Sequence, residues 1–293
     1  METLTNGILT IQVSSHGAEL CSLRCDGREY LWQADPTYWA RHSPVLFPIV
    51  GRVWNDAYRI GNVEYHLSQH GFARDCDFTL LAVTDTEVRY RLCDTEASRE
   101  RYPYAFELEI GYRLEGRSVR VVWQVHNPSA TQELDFQIGA HPAFYYPDFE
   151  PTAQERGYFH FDADAALVRS YIGEKGCLDV DRKEKMELEE GGWLPLTQQL
   201  FGGDALVLEQ GQVHEVTLCD RQRRPYITLL YEAPVVGLWS PPGKNAPFVC
   251  IEPWYGRCDS VGYKGVYKEK EWMQHLKPGE TFQATYLVRV DAV

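Results

Sequence analysis

The sequence predicts an all-β protein: one large antiparallel β-sandwich with a few short helices. Three observations carry this. Apolar residues recur at every second position through most of the readable segments, the period of a strand with one buried face. These runs are short and punctuated by turn residues, whereas helical signals are few. Aromatic residues make up 13% of the 293, with 18 Tyr and 8 Trp, and such side chains favour strands.

The elements follow in chain order. Ile8–Val13 reads as a first strand. Asp35-Pro36 reads as the start of a short helix through Trp39, with Asp as N-cap and Pro at the first position. Val88–Leu92 is a strand, and Thr95–Arg101 a short helix ahead of Tyr102-Pro103. In Tyr104–Tyr112, Tyr104, Phe106, Leu108, Ile110 and Tyr112 alternate with Ala105, Glu107, Glu109 and Gly111. A turn at Leu114–Arg117 leads into Val119, Val121, Trp123 and Val125, so the two runs form a hairpin. Leu134–Ile138 is a strand that ends in Gly139-Ala140-His141-Pro142. The mixed-charge stretch 181–190 (DRKEKMELEE) reads as a solvated loop or short helix. Ile227–Tyr231, Val235–Trp239, Phe248–Ile251 and Phe282–Val290 complete the strands. No internal repeat, low-complexity tract or Pro/Ser-rich linker interrupts the pattern, so residues 1–293 are expected to form one domain.

Composition excludes several classes. Hydrophobic content of 44% and charged content of 24% are those of a globular chain. A net charge of −13 argues against nucleic acid or an anionic membrane as partner. It leaves room for a small anion held by local arginines. No stretch reaches the roughly 18–20 apolar residues of a membrane span, and the N-terminus lacks the pattern of a signal peptide. The 8 cysteines include no CxxC pair. They read as reduced thiols of a cytoplasmic protein. Cys21 and Cys25 are the closest pair, and no His joins them at zinc-finger spacing. No Rossmann glycine pattern, P-loop or metal-ligand spacing is present, so neither a cofactor nor a metal is expected.

Four segments place polar residues where a plain sandwich has no need of them: VLFPIVGRVWND (45–56), QHGFARD (69–75), IGAHPAFYYP (138–147) and FVCIEPWYGRCD (248–259). By parity, Leu134, Phe136 and Ile138 share one face, while Asp135, Gln137, Gly139 and His141 share the other, the wall of a wet cleft. Glu252 ends a strand on the face of Phe248 and Cys250. A carboxylate in such apolar company is partly desolvated, which raises its pKa towards that of a general base near neutrality. Each residue also has a plainer role. His141 can be a hydrogen-bonded corner, Glu252 can pair with Arg257, Arg52 and Arg74 can pair with Asp56 and Asp75, and the aromatics can be core.

These segments, with GAELCSL (17–23), EYLWQADPTYWARHSPVLFPIVGRV (29–53) and DALVLE (204–209), stand in an order that resembles the aldose 1-epimerase, or galactose mutarotase-like, superfamily and its LacX-like branch. The resemblance runs from about residue 7 to the C-terminus and is least distinctive over 148–195. It implies a mutarotase-type supersandwich with an open cleft across one sheet. It implies that His141 acts as acid and Glu252 as base, that Arg52 and His70 hold the sugar, and that Asp204 binds a hydroxyl. Gly71-Phe72-Ala73-Arg74 departs from the galactose mutarotase pattern and resembles the hexose-6-phosphate epimerase branch. There Arg52, Arg74 and Lys244 are candidates for a phosphate clamp.

The expected activity is interconversion of the α and β anomers of an aldohexose or related sugar, without cofactor. A sugar 6-phosphate is the alternative substrate. A non-catalytic carbohydrate-binding protein is a second class, in which His141 and Glu252 need not act on one ligand. A glycosidase would use Asp204 and Glu252, at a carboxylate separation of about 5–9.5 Å. A purely structural protein would leave all these residues idle.

Overall fold

The computed structural model describes residues 1–291. Two large antiparallel sheets dominate it. One has nine strands, in the order Trp193–Thr197, Glu155–Phe161, Glu215–Cys219, Pro225–Tyr231, Thr281–Val290, Ser118–His126, Glu107–Glu115, Glu87–Cys93 and Thr79–Val83. The other has eight. Its path runs Leu178–Met186, Leu167–Ile172, Leu206–Glu209, Val235–Trp239, Phe248–Tyr255, Ile138–Ala140 and Val45–Leu46, with Ala143–Tyr145 also paired to Phe248–Tyr255. A four-stranded sheet, starting with Glu2–Thr5 and Leu9–Val13, and two hairpin-sized ribbons complete the molecule.

Alternation explains how the sheets pack. Val119, Val121, Trp123 and Val125 are buried while their neighbours are half-exposed, and the register Glu115↔Ser118 closes the expected hairpin. Along Phe248–Tyr255, Val249 and Ile251 join the main core between the sheets. Phe248 and Cys250 point the other way, into a second cluster with Trp32, Ala143 and Ala246. This second face carries the site.

Several local expectations need correction. Residues 36–38 form a single turn, not a helix, closed by Thr37 N–H donating to Asp35 Oδ1 at 2.9 Å and Trp39 N–H to the Asp35 carbonyl at 3.0 Å. The Asp did act as a cap, but no apolar face follows to sustain further turns. The helix near Thr95 is short, Glu96–Arg99, with Thr95 and Ser98 forming a capping box. The 181–190 stretch is largely strand: Leu178–Met186 is the outer strand of the eight-stranded sheet and is exposed along most of its length. An edge strand with no second face to bury needs no apolar alternation, and charges there block pairing with other chains. The run Leu134–Ile138 is split. Leu134–Phe136 pairs with Gln274–Leu276, and only Ile138–Ala140 enters the large sheet. Phe248–Ile251 extends to Tyr255, so Glu252 lies within its strand rather than at the end.

Gly71 shows how tightly one corner is built. Its φ is +70°, and a Cβ there would stand 2.3 Å from the Phe47 carbonyl oxygen. Gly71→Ala is therefore expected to destabilise the fold by about 1–3 kcal/mol, read as a lower urea midpoint. An unchanged midpoint would mean that the corner shifts freely.

Candidate active site

The pairing register brings His141 to Glu252. Gly139 lies opposite Trp254 and Ala143 opposite Cys250, both on the strand Phe248–Tyr255. His141 and Pro142 fill the gap between these two short strands, directly across from Glu252. Proline has no N–H to give to a ladder, so the chain can leave the sheet there. The imidazole Nε2 comes within 3.3 Å of Glu252 Oε2.

Both groups are deeply buried, with 7% of His141 and 1% of Glu252 exposed. Neither Glu252 Oε2 nor His141 Nδ1 has a hydrogen-bond partner. Trp39 stacks on the His141 ring at 4.6 Å between centroids, and Trp239 meets it edge-on at 5.4 Å. This apolar casing sets the charges. Burial, helped by the positive charge of Arg74, pulls His141 down to about 3. Burial, helped by Asp204, pushes the Glu252 carboxyl well above the usual carboxylate range. Both shifts favour a neutral pair, with the proton on Glu252 rather than on His141.

His70 approaches from a third element. Its φ is +66°. Its own N–H donates to the Gly51 carbonyl at 2.7 Å, and Gly51 N–H donates to His70 Nδ1 at 3.0 Å. Burial, then the charges of His141 and Arg74, hold its pKa well below the ordinary value. A neutral ring whose Nδ1 is an acceptor carries its proton on Nε2. His70 is thereby fixed as a hydrogen-bond donor, with its ring 5.6 Å from that of His141. Gly51 permits this corner: its φ is +69°, and a Cβ would stand 2.5 Å from Cys258 Cβ.

His70, Arg74, His141, Asp204 and Glu252 all line one cavity of about 340 Å³, within the range of small-molecule sites. Arg74 is mostly buried; its Nε lies 3.8 Å from Asp75 Oδ2 but makes no hydrogen bond, its Nη2 donates to the Gln69 carbonyl at 2.7 Å, and burial together with Arg41 lowers its pKa to about 10. Asp204 is exposed at the rim and accepts from Ala205 N–H.

Two expected ligand holders stand elsewhere. Arg52 lines a neighbouring hollow with Asn55, Asp56 and Lys175, and its Nη1 lies 2.9 Å from Asp56 Oδ1. The i,i+4 carboxylate at Asp56 pairs with its guanidinium, and its charge still reaches His70 and Arg74. Lys244 donates to the Thr37 and Tyr38 carbonyls at 3.2 and 2.8 Å, tying down the turn before Trp39. Nor do Asp135 and Gln137 face a wet cleft. Asp135 is buried against Tyr104 and His275, and Gln137 accepts from Val50 N–H and donates to the Glu271 carbonyl.

The walls that sequence reasoning missed are Trp39, Trp239 and Arg257. The Asp35-Pro36 start reads Trp39 into a helix, and nothing local to it signals a histidine so far along the chain. Trp254, one of the aromatics of 248–259 that read as core, forms the floor. Its indole crosses Gly237 and Gly139 on the two flanking strands, where a Cβ would stand 2.3 and 2.6 Å from its ring atoms.

Comparison with known proteins agrees with this architecture. The family profile described as aldose 1-epimerase matches residues 2–289. The chromosomal LacX protein of Lactococcus lactis subsp. lactis is 33% identical over 296 residues, covering 98% of each chain. A galactose mutarotase related enzyme from Lactobacillus acidophilus superposes with a TM-score of 0.92 at 34% identity, covering 99% of this chain and 97% of that one. A galactose mutarotase-like protein from Lactobacillus casei gives 0.91 at 29% identity, covering 99% of this chain and 100% of that one. The mutarotase-like supersandwich anticipated from the motifs is the fold observed, and this chain belongs to the aldose 1-epimerase family.

Proposed function

We propose that the chain, acting as one aldose 1-epimerase-like unit, is an isomerase that interconverts the α and β anomers of an aldohexose or related sugar. The observation that carries this reading is the His141–Glu252 pair: two buried groups 3.3 Å apart, each with an unpartnered polar atom, in the wall of one cleft. A ligand's hydroxyls would supply the missing partners.

Glu252, as carboxylate, takes the proton of the anomeric O1–H. The O–H electron pair becomes the second bond of the C1 carbonyl. The C1–O5 bond breaks, and O5 takes both its electrons and a proton from His141. The open-chain aldehyde rotates about C1–C2 and recloses with both transfers reversed, inverting C1. At the open-chain point Glu252 is protonated and His141 neutral, the pairing that burial favours. Starting from the cyclic sugar requires the shared proton on His141, so sugar hydroxyls bonded to Glu252 must offset the cost of its charge. His70 Nε2–H and Arg74 would donate to oxygens where negative charge grows.

The test is saturation-transfer NMR of anomer exchange on a panel of free aldoses and their 6-phosphates. Acceleration of exchange by the wild-type protein is expected. Broadened sugar resonances without acceleration on any member would make it a sugar-binding protein instead.

One observation favours a 6-phosphate among these sugars: Arg74 lies in the cleft wall with no hydrogen bond to its Nε, and Arg41 is close enough to lower its pKa. Arg74→Ala is then expected to raise KM for a sugar phosphate far more than for the free sugar. Equal effects on both would remove the phosphate clamp. Among the described residues no helix is long and apolar enough to cross a membrane. The 8 cysteines are free thiols, which supports placing the activity in the cytoplasm.

A further inference from the structure

We propose that the same cleft binds one divalent transition-metal ion of the zinc class, through His141, Cys250 and Glu252, and that the ion excludes the sugar. Only the second half of this rests on the function proposed above.

Cys250 precedes Glu252 by two residues and shares its face of the strand. One ligand atom from each of the three residues lies within 4.8 Å of the others. The 3.3 Å between His141 Nε2 and Glu252 Oε2 is the separation of two ligands held at roughly 2.0–2.1 Å around a tetrahedral ion. Glu252 Oε2 is 1% exposed as a residue and has no other partner. Cys250 is wholly buried among Trp32, Ala143 and Phe248. His141 and Glu252 line the cavity, which gives the ion its route and leaves a fourth position open towards the sugar's place.

The charges also suit a buried ion. Binding releases two protons, one from the Glu252 carboxyl and one from the Cys250 thiol. The resulting carboxylate and thiolate cancel the two positive charges of the metal. His141 binds as the neutral imidazole. No electron is transferred. A thiolate with an imidazole and a carboxylate is a donor set for Zn²⁺ or Co²⁺ rather than for Mg²⁺ or Ca²⁺.

The fold assembles a second group of the same type, Glu19, Cys21 and His42, which sequence spacing also concealed. That group is a poorer host. Glu19 Oε1 already accepts from the His42 and Ser43 N–H groups. Contacts with Cys21 and Glu19 hold His42 protonated, up to about 9. A metal would have to displace that proton first.

The test is titration of the metal-free protein with Co²⁺. One equivalent is expected to give tetrahedral visible bands and a thiolate-to-cobalt charge-transfer band in the near ultraviolet. Cys250→Ala should lose the charge-transfer band, with near-ultraviolet circular dichroism showing a native fold, and Cys21→Ala should keep it. Should Cys250→Ala fail to fold, Glu252→Gln replaces it and must alter the visible bands. Absence of the charge-transfer band in wild type overturns the proposal. So does a band that survives Cys250→Ala and vanishes in Cys21→Ala. Zn²⁺ should abolish anomer exchange, and a chelator should restore it. Exchange that continues with the metal bound overturns the exclusion of sugar. Exchange by metal-free protein tests the proposed function separately, and the cobalt spectrum decides the metal site even if no sugar is turned over.

Discussion

Glu252→Gln should lower anomer exchange by about 10²–10⁴-fold, the worth of one general acid–base group, while the fold stays intact. Glutamine keeps the size of the side chain and removes only its capacity to take a proton. Near-normal turnover in this variant would dismiss Glu252 as the base. Stability supplies an independent check, with a definite sign. Burial, and then Asp204, push the Glu252 carboxyl well above its ordinary range. The folded state therefore holds this proton more tightly than the unfolded chain does. That contribution is fully present below the unfolded pKa of about 4.3 and is lost as pH rises through the folded value. Glutamine cannot ionise. The variant should therefore gain on wild type as pH rises, seen in urea midpoints at about pH 5 and about pH 8. Parallel midpoints at both would show that the carboxyl is not held protonated.

His141→Asn should cause a comparable loss, about 10²–10⁴-fold, and the double variant should be little worse than either single one, because the pair acts as a unit. Its pH signature runs the other way. Burial and Arg74 draw His141 down to about 3, below the ordinary value of about 6.5. Between these two values the unfolded chain binds a proton that the folded chain refuses. Wild type thus loses stability as pH falls through that window. His141→Asn escapes this loss and should unfold at lower pH than wild type. An acid transition identical to wild type would mean that the imidazole is not held neutral in the folded state. A variant that does not fold at all would make His141 a structural corner.

Period-two alternation made the hairpin of Glu107–Glu115 and Ser118–His126 legible, because one face of each strand is buried and the other half-exposed. It failed where burial is not one-sided. Leu178–Met186 hides almost nothing, and Phe248–Tyr255 hides nearly everything on both faces. Pro253 suggested an end to that strand, yet it sits opposite Val236 within the ladder. His70, Arg74, His141, Asp204 and Glu252, which the motifs single out, line one cavity. Arg52 escaped because an arginine four residues before an aspartate can find its partner locally. Trp39, Trp239 and the Glu19–Cys21–His42 group could not be read at all. Their neighbours are set by sheet order, which no local spacing records.

The indole of Trp254 rests on two positions that have no side chain. The depth of the cleft is thus written in residues that never meet the ligand. A single methyl at Gly237 or Gly139 would meet the indole, so the floor would have to shift, together with the indole N–H that Trp254 donates to the Ala140 carbonyl. The chamber can thus be reshaped from beneath, at two positions outside its lining.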